Sequence, residues 1–266
     1  MELKNLLLIS DIDGTLIDEN YQIPARNREA IEKLEKAGGG FAIATGRSWE
    51  SVGQCIRGLP VNRPCVLANG GVIFDMEKRQ PVWFQALPEE AKEYTHRIME
   101  AFPEAGIEVF TASDVWILRQ NEITLAHMTH EGLHFQLVSE EEIREPWCKV
   151  LVASLEQDAL KEFCDRTPHE GMRFVASSDR YWEMLPEQAD KGTGIQKLAE
   201  LCGIPMESVA AIGDYYNDLE MLQTAGITAV PQNGPEEIQK LADVVTCHCN
   251  DGTVADFIEY LEQKDD

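Results

Sequence analysis

Basic residues are scarce. The 266-residue chain holds 23 lysines and arginines against 47 aspartates and glutamates, a net charge of −24 with histidine neutral. A surface that negative repels nucleic acid and anionic lipid at long range, so neither is expected as a partner. A small anion can still bind where a cation and a few local positive groups reverse the field. Long apolar runs are also missing. The stretch near the N-terminus covers residues 6–10 at its most generous, too short for the apolar region of a signal peptide and far too short to span a bilayer. The seven cysteines are an odd count with no C-x-x-C pair, and most sit among apolar residues, as reduced buried thiols do. Cys247-His248-Cys249 looks like a zinc fragment, but no second pair at suitable spacing accompanies it. A soluble cytoplasmic protein is expected, monomeric or a weak homodimer.

What is present is an ordinary globular balance, 44% hydrophobic and 26% charged. At roughly 150 residues per domain the length suggests one large domain or two modest ones. The two ends of the chain alternate strand and helix. Residues 6–9 form an apolar run ending at Asp11, as in a strand buried on both faces. A helix opens at Pro24 and stops at Gly38-Gly39-Gly40, and strands follow at 41–44 and 65–68 with a helix at 49–57 between them. The rhythm resumes with a helix over 194–202, stopped by Gly203, and a strand at 209–212. Then come a helix near 219–224, a strand at 227–230, a helix at 236–241, a strand at 244–245 and a last helix with Val254, Phe257, Ile258 and Leu261 on one face. Such alternation implies a Rossmann-like α/β core, a parallel sheet covered on both faces. The middle differs: a helix over 88–102, extended segments at 107–111, 115–119 and 149–153, a helix near 158–164 and paired segments at 173–176 and 181–185. This α+β pattern is expected to be a domain inserted at 85–186, splitting the core into 1–84 and 187–266.

Four short motifs stand at the ends of core strands or open a helix. Asp11-Ile12-Asp13-Gly14-Thr15 follows the first strand, Thr45-Gly46-Arg47 the second, and Gly213-Asp214-Tyr215-Tyr216-Asn217-Asp218 the fourth; Lys191-Gly192 precedes a helix. In a parallel sheet the carboxyl ends of the strands share one edge, so the four can converge on one crevice. Asp11, Asp13, Asp214 and Asp218 would then crowd together, which is costly without a hard divalent cation such as Mg²⁺. A hydroxyl and amides from Thr45-Gly46, with the Lys191 ammonium, would complete an anion site. Together these describe phosphoryl transfer, and an aspartate on a sharp turn can act as nucleophile through an aspartyl phosphate. Taken singly, each motif reads as well as an Asx turn, a helix start or a solvated lysine; four in one chain favour the functional reading.

In this order, D-x-D-G-T, T-G-R, K-G and G-D-x-x-N-D resemble the haloacid dehalogenase superfamily, and more narrowly its Cof-type phosphatases. The 143 residues between Arg47 and Lys191 are similar in placement to the family's C2-type cap, which would make 85–186 a lid. Asn69-Gly70-Gly71 looks like the family's N-G-A turn with glycine for alanine, and Cys249-Asn250-Asp251-Gly252-Thr253-Val254 is similar to its closing N-x-D-G-V segment, shortened by one. The resemblance implies roles. Asp11 would attack phosphorus. Asp13 would protonate the leaving alcohol and then deprotonate the water that cleaves the acyl phosphate. Mg²⁺ would be held by Asp11, Asp214 and the Asp13 backbone carbonyl, with Asp218 orienting the surrounding waters. Thr45, Gly46, the Ile12 amide, Asn217 and Lys191 would hold the phosphoryl oxygens, and Arg47 would reach toward the substrate or the cap. The implied substrate is a small phosphorylated metabolite of the sugar phosphate, flavin mononucleotide or pyridoxal phosphate class. A phosphomutase and a non-catalytic phosphometabolite sensor are the rivals on the same scaffold.

Three features outside the motifs read as structural. His127, His130 and His134 are spaced i, i+3, i+7, but Gly132 interrupts them, so a surface or cleft-lining role is expected rather than a metal site. Trp83, Trp116 and Trp182 are expected to pack, and Glu262, Asp265 and Asp266 to form a solvated tail.

Overall fold

A computed structural model describes residues 3–134 and 136–264, so Asp265 and Asp266 of the expected tail lie outside the described residues. Glu262 is not solvated tail: it belongs to the helix Thr253–Gln263 and pairs with Lys33 at 2.6 Å. The chain divides into two compact units. One comprises the chain up to Arg47, Val52–Val82, and everything from Asp190 onward; the other comprises Ser48–Ser51 and Trp83–Ala189.

The first unit is built on a five-stranded sheet in the order Val244–Thr246, Ile227–Pro231, Val209–Ile212, Leu7–Ser10, Gly40–Ile43. Every pairing is parallel, with Ile9 opposite Ala211 on one side and Ala42 on the other. The central strands are buried on both faces, which is why they read as continuous apolar runs. The helices Ala25–Lys36 and Thr253–Gln263 pack together, as do Lys191–Cys202 and Leu219–Thr224. The chain order of the sheet reverses at Leu7–Ser10, whose neighbours are the next strand on one side and a strand from the far end of the chain on the other. Loops from both halves therefore meet beyond its carboxyl end. A second, three-stranded sheet, Cys65–Leu67, Val72–Asp75 and Gln80–Phe84, takes up the strand expected at 65–68; its other two strands were not expected.

The second unit is an antiparallel sheet in the order Val115–Arg119, Gly106–Phe110, Lys149–Ala153, Tyr181–Pro186, Met172–Ala176. Helices Glu90–Ala101 and Gln157–Arg166 bury Tyr94, Ile98, Leu160 and Cys164 against Val109, Val150, Trp182 and Met184 on one face. On the other, Met128 of the helix Glu122–Glu131 joins Phe110, Ile117 and Leu151. Trp116 and Trp182 pack in this core as expected, while Trp83 is only half-buried. The three histidines do not share a helix face, because Gly132 caps the helix at φ 65° and His134 lies beyond it. A parallel α/β core with a separate antiparallel α+β unit is the fold class expected from the sequence. Among the described residues, no helix is long and apolar enough to cross a membrane.

Candidate active site

The site is assembled within the first unit from three strand ends and one helix start. Asp11 is the first residue after Leu7–Ser10, and its N–H donates to the Ile212 carbonyl at 2.9 Å. That bond ties the Asp11 loop to the strand carrying Gly213 and Asp214. Gly14 turns the loop at φ +73°, and a Cβ there would lie 2.4 Å from Asp214 Oδ2, so only glycine lets this carboxylate sit against the loop. Lys191 opens its helix directly after Asp190, whose side chain caps it by accepting the Thr193 N–H at 2.7 Å. The helix can start so close to the sheet because Gly70, at φ +98°, has no side chain: a Cβ would fall 1.9 Å from the Asp190 carbonyl oxygen. The cap and this approach explain why the helix begins at Lys191, three residues before the expected start at Gly194.

Lys191 is fully buried. Its Nζ donates to Asp11 Oδ1 and to Asp218 Oδ1, each at 2.6 Å. The other oxygen of Asp218 accepts the N–H groups of Asp214 at 2.9 Å and Tyr215 at 3.2 Å, so this fully buried carboxylate fixes the lysine and the 213–218 turn together. Ligand oxygens of Asp11, Asp214 and Asp218 all lie within 4.8 Å of one another. Burial, together with the Asp218 carboxylate and against the pull of Lys191, pushes Asp214 up to about 7. Burial likewise raises Asp11 well above the usual carboxylate range, opposed by Lys191 and aided by Asp218, Asp214 and Asp13. One ammonium is too little positive charge for three clustered carboxylates, which is the donor set and the charge deficit that a hard divalent cation fits.

The remaining expected residues are distributed as follows. Asp13 points its half-exposed carboxylate at Arg47, which donates to it from Nε at 2.8 Å and Nη2 at 2.7 Å. Arg47 thus turns to Asp13, where the sequence reading aimed it at substrate or cap. Thr45 is buried at the end of Gly40–Ile43; its N–H donates to the Val66 carbonyl at 2.9 Å and its Oγ1 accepts the Arg47 N–H at 3.3 Å. Gly46 is half-buried beside it. The Ile12 side chain is wholly buried, leaving its backbone amide as the group it can offer. Asn217 is half-buried, and its side chain makes no hydrogen bond among the described residues.

Two further residues support the site without having been singled out for it. Asn233 donates to the Gly14 carbonyl at 2.8 Å and accepts the Cys249 N–H at 2.9 Å, joining the loop after Asp13 to the closing segment. Asn27, fully buried in Ala25–Lys36, donates to the Leu16 carbonyl and accepts the Ala255 N–H. Its signal was a polar residue on the apolar face of an amphipathic helix. The Thr15 hydroxyl is buried and has no hydrogen-bond partner among the described residues.

Residues 8–258 match the profile of the haloacid dehalogenase-like hydrolases. The chain is 25% identical to Phosphatase YwpJ of Bacillus subtilis over 286 residues, covering 96% of this chain and 99% of that protein. It is 27% identical to the 5-amino-6-(5-phospho-D-ribitylamino)uracil phosphatase YwtE of the same organism, covering 94% and 96%. Among solved structures, a haloacid dehalogenase-like hydrolase from Bacteroides thetaiotaomicron superposes with a TM-score of 0.84 at 24% identity, over 96% of this chain and 99% of that one. The chain belongs to the haloacid dehalogenase-like hydrolases, among their Cof-type phosphatases, and is a hydrolase of phosphoric monoesters.

Proposed function

We propose that this phosphatase is Mg²⁺-dependent and hydrolyses a small phosphorylated metabolite, of the sugar phosphate, flavin mononucleotide or pyridoxal phosphate class, through an aspartyl phosphate. The observation that carries the reading is the Lys191 ammonium held between Asp11 and Asp218 at 2.6 Å from each, beside Asp214. Asp11 and Asp214, with the Asp13 carbonyl and Asp218, are the residues that would hold the cation. When bound, Mg²⁺ supplies neutralisation of the carboxylates and of the charge on the transferring phosphoryl group.

The chain's own groups supply the rest. A carboxylate oxygen of Asp11 attacks phosphorus, and the bond from phosphorus to the ester oxygen breaks. Asp13 gives the departing alkoxide its proton. Water then attacks the phosphorus of the acyl phosphate while Asp13 takes up a proton, releasing inorganic phosphate and restoring Asp11. Lys191, the Thr45 hydroxyl, the amides of Ile12 and Gly46, and Asn217 hold the phosphoryl oxygens. With the cation in place, Lys191 and Arg47 would complete the local positive charge that a chain of net charge −24 needs if it is to admit a dianion. Residues 85–186 act as the C2-type cap, a lid that admits small substrates and shields the intermediate.

Phosphate release from a panel of phosphometabolites, assayed with Mg²⁺ and with chelator, tests this reading. Turnover that requires the metal supports it. Phosphoryl transfer to a sugar hydroxyl without phosphate release would make the chain a mutase instead, and tight binding without turnover a sensor.

A further inference from the structure

None of Ala68, Asn69 and Gly70 takes part in the chemistry, yet their backbone is strained. All three have positive φ, +50°, +52° and +98° in turn. Two of them are not glycine, and a left-handed backbone is unfavourable for an L side chain, less so for asparagine than for alanine. Such strain persists only where the surroundings impose it, and it concentrates at functional sites. Here it is imposed by contacts with two parts of the anion site. The Thr45 N–H donates to the Val66 carbonyl at 2.9 Å, the Asn69 N–H donates back to the Thr45 carbonyl at 3.0 Å, and the Ala68 N–H donates to the Arg47 carbonyl at 3.3 Å. The same turn also meets the Lys191 helix. Gly70 lies against the Asp190 carbonyl, and a Cβ on Gly194 would fall 2.9 Å from the Gly70 Cα. Between Thr45 and Arg47 stands Gly46, where the contact is made by the Asn69 side chain. A Cβ on Gly46 would lie 3.0 Å from Asn69 Nδ2 and 3.1 Å from Oδ1, and Asn69 is buried.

We propose that Asn69 is a positioning residue for phosphoryl binding: its carboxamide braces Gly46 and so fixes where the Gly46 amide and the Thr45 hydroxyl point. The inference rests on the phosphatase reading above, in which those two groups hold phosphoryl oxygens. Glycine leaves its own peptide free to rotate, so an amide that must aim at a developing charge needs an outside support. The turn supplies that support while resting on the helix that carries Lys191, which sets the amide and the ammonium at a fixed separation. The carboxylates are held by other bonds, Asp11 through the Ile212 carbonyl and Lys191, and Asp218 through Lys191 and the Asp214 N–H. Loss of the carboxamide should therefore disturb the grip on phosphate and spare the cation side.

Asn69→Gly tests this, because it deletes the carboxamide and keeps the left-handed backbone accessible. With p-nitrophenyl phosphate and Mg²⁺, the full-length variant is expected to lose about a hundredfold in kcat/KM, the scale of a misplaced binding group. The inhibition constant of orthovanadate should rise in step, while the Mg²⁺ concentration for half-maximal activity stays at the wild-type value. Gly46→Ala should also be slow, since its methyl meets the carboxamide. Gly46→Ala/Asn69→Gly should be no slower than the slower single variant, because both changes act on one amide. Wild-type kcat/KM in Asn69→Gly, losses that multiply in the double variant, or a raised Mg²⁺ requirement with unchanged vanadate inhibition each overturn the proposal and leave the phosphatase reading intact. A wild type that releases no phosphate from p-nitrophenyl phosphate or from any of the phosphometabolites overturns that reading, and this inference with it.

Discussion

The guanidinium of Arg47 closes on Asp13 through two hydrogen bonds, Nε to Oδ2 at 2.8 Å and Nη2 to Oδ1 at 2.7 Å. The arginine side chain is 9% exposed and the aspartate 50%, so a rigid buried fork holds an acid that faces the open side of the loop. On the proposed mechanism, in which Asp13 is the proton donor, Arg47 would set the orientation of its carboxyl group. A lysine keeps the charge but loses the fork. Arg47→Lys is expected to lower kcat/KM for p-nitrophenyl phosphate about tenfold and Arg47→Ala further, with the melting temperature little changed. Full activity in Arg47→Ala would remove the positioning role.

Much of this arrangement was legible in the sequence, for identifiable physical reasons. Strands buried on both faces leave uninterrupted apolar runs, so Leu7–Ser10 and Val209–Ile212 announced themselves. Once they are parallel neighbours, Asp11 and Asp214 must share an edge. The Arg47–Asp13 pair was not legible, because it depends on side-chain direction across 34 positions of sequence. Asn233 followed Pro231 and Gln232 and preceded Gly234, a turn signature that hides its tie to Gly14. The helix Glu122–Glu131 escaped notice because it buries only Thr124 and Met128, too few for a readable stripe.

Lys191 is expected to matter for folding as well as for turnover. It is the ammonium that compensates two buried carboxylates, Asp11 and Asp218. Removing one partner of a buried ionic group leaves the others uncompensated, at a cost of about 3–5 kcal/mol. Lys191→Met should therefore lower the urea midpoint strongly in chelator. Mg²⁺ should restore part of the loss, because a ligand of the native state stabilises it by mass action. A variant as stable as wild type in chelator would contradict the charge balance described here.

In the second unit, the His127 imidazole lies between two acids, with Nδ1 2.8 Å from Glu108 and Nε2 3.5 Å from Glu131. Burial opposes its charge, but the hydrogen bonds and charges of Glu108 and Glu131 outweigh burial and push its titration from 6.5 up to about 10. A folded-state value above the unfolded one means that folding is coupled to proton binding. The stability it contributes is complete below about 6.5, erodes as pH rises, and is gone once pH has passed about 10. The gap in unfolding free energy between wild type and His127→Gln should be widest near pH 6 and shrink steadily toward pH 10. A gap that does not change with pH would show that the imidazole contributes by packing alone.

The central claim is that the Asp11 carboxylate forms the bond to phosphorus. Its most direct test is phosphate release from p-nitrophenyl phosphate by wild type and Asp11→Asn, each with Mg²⁺ and with chelator. The account predicts turnover by wild type that disappears on chelation, and loss of at least a thousandfold in Asp11→Asn with the fold retained, on the order seen when a nucleophile is removed. Asp11→Asn that keeps more than a few per cent of wild-type activity would contradict it.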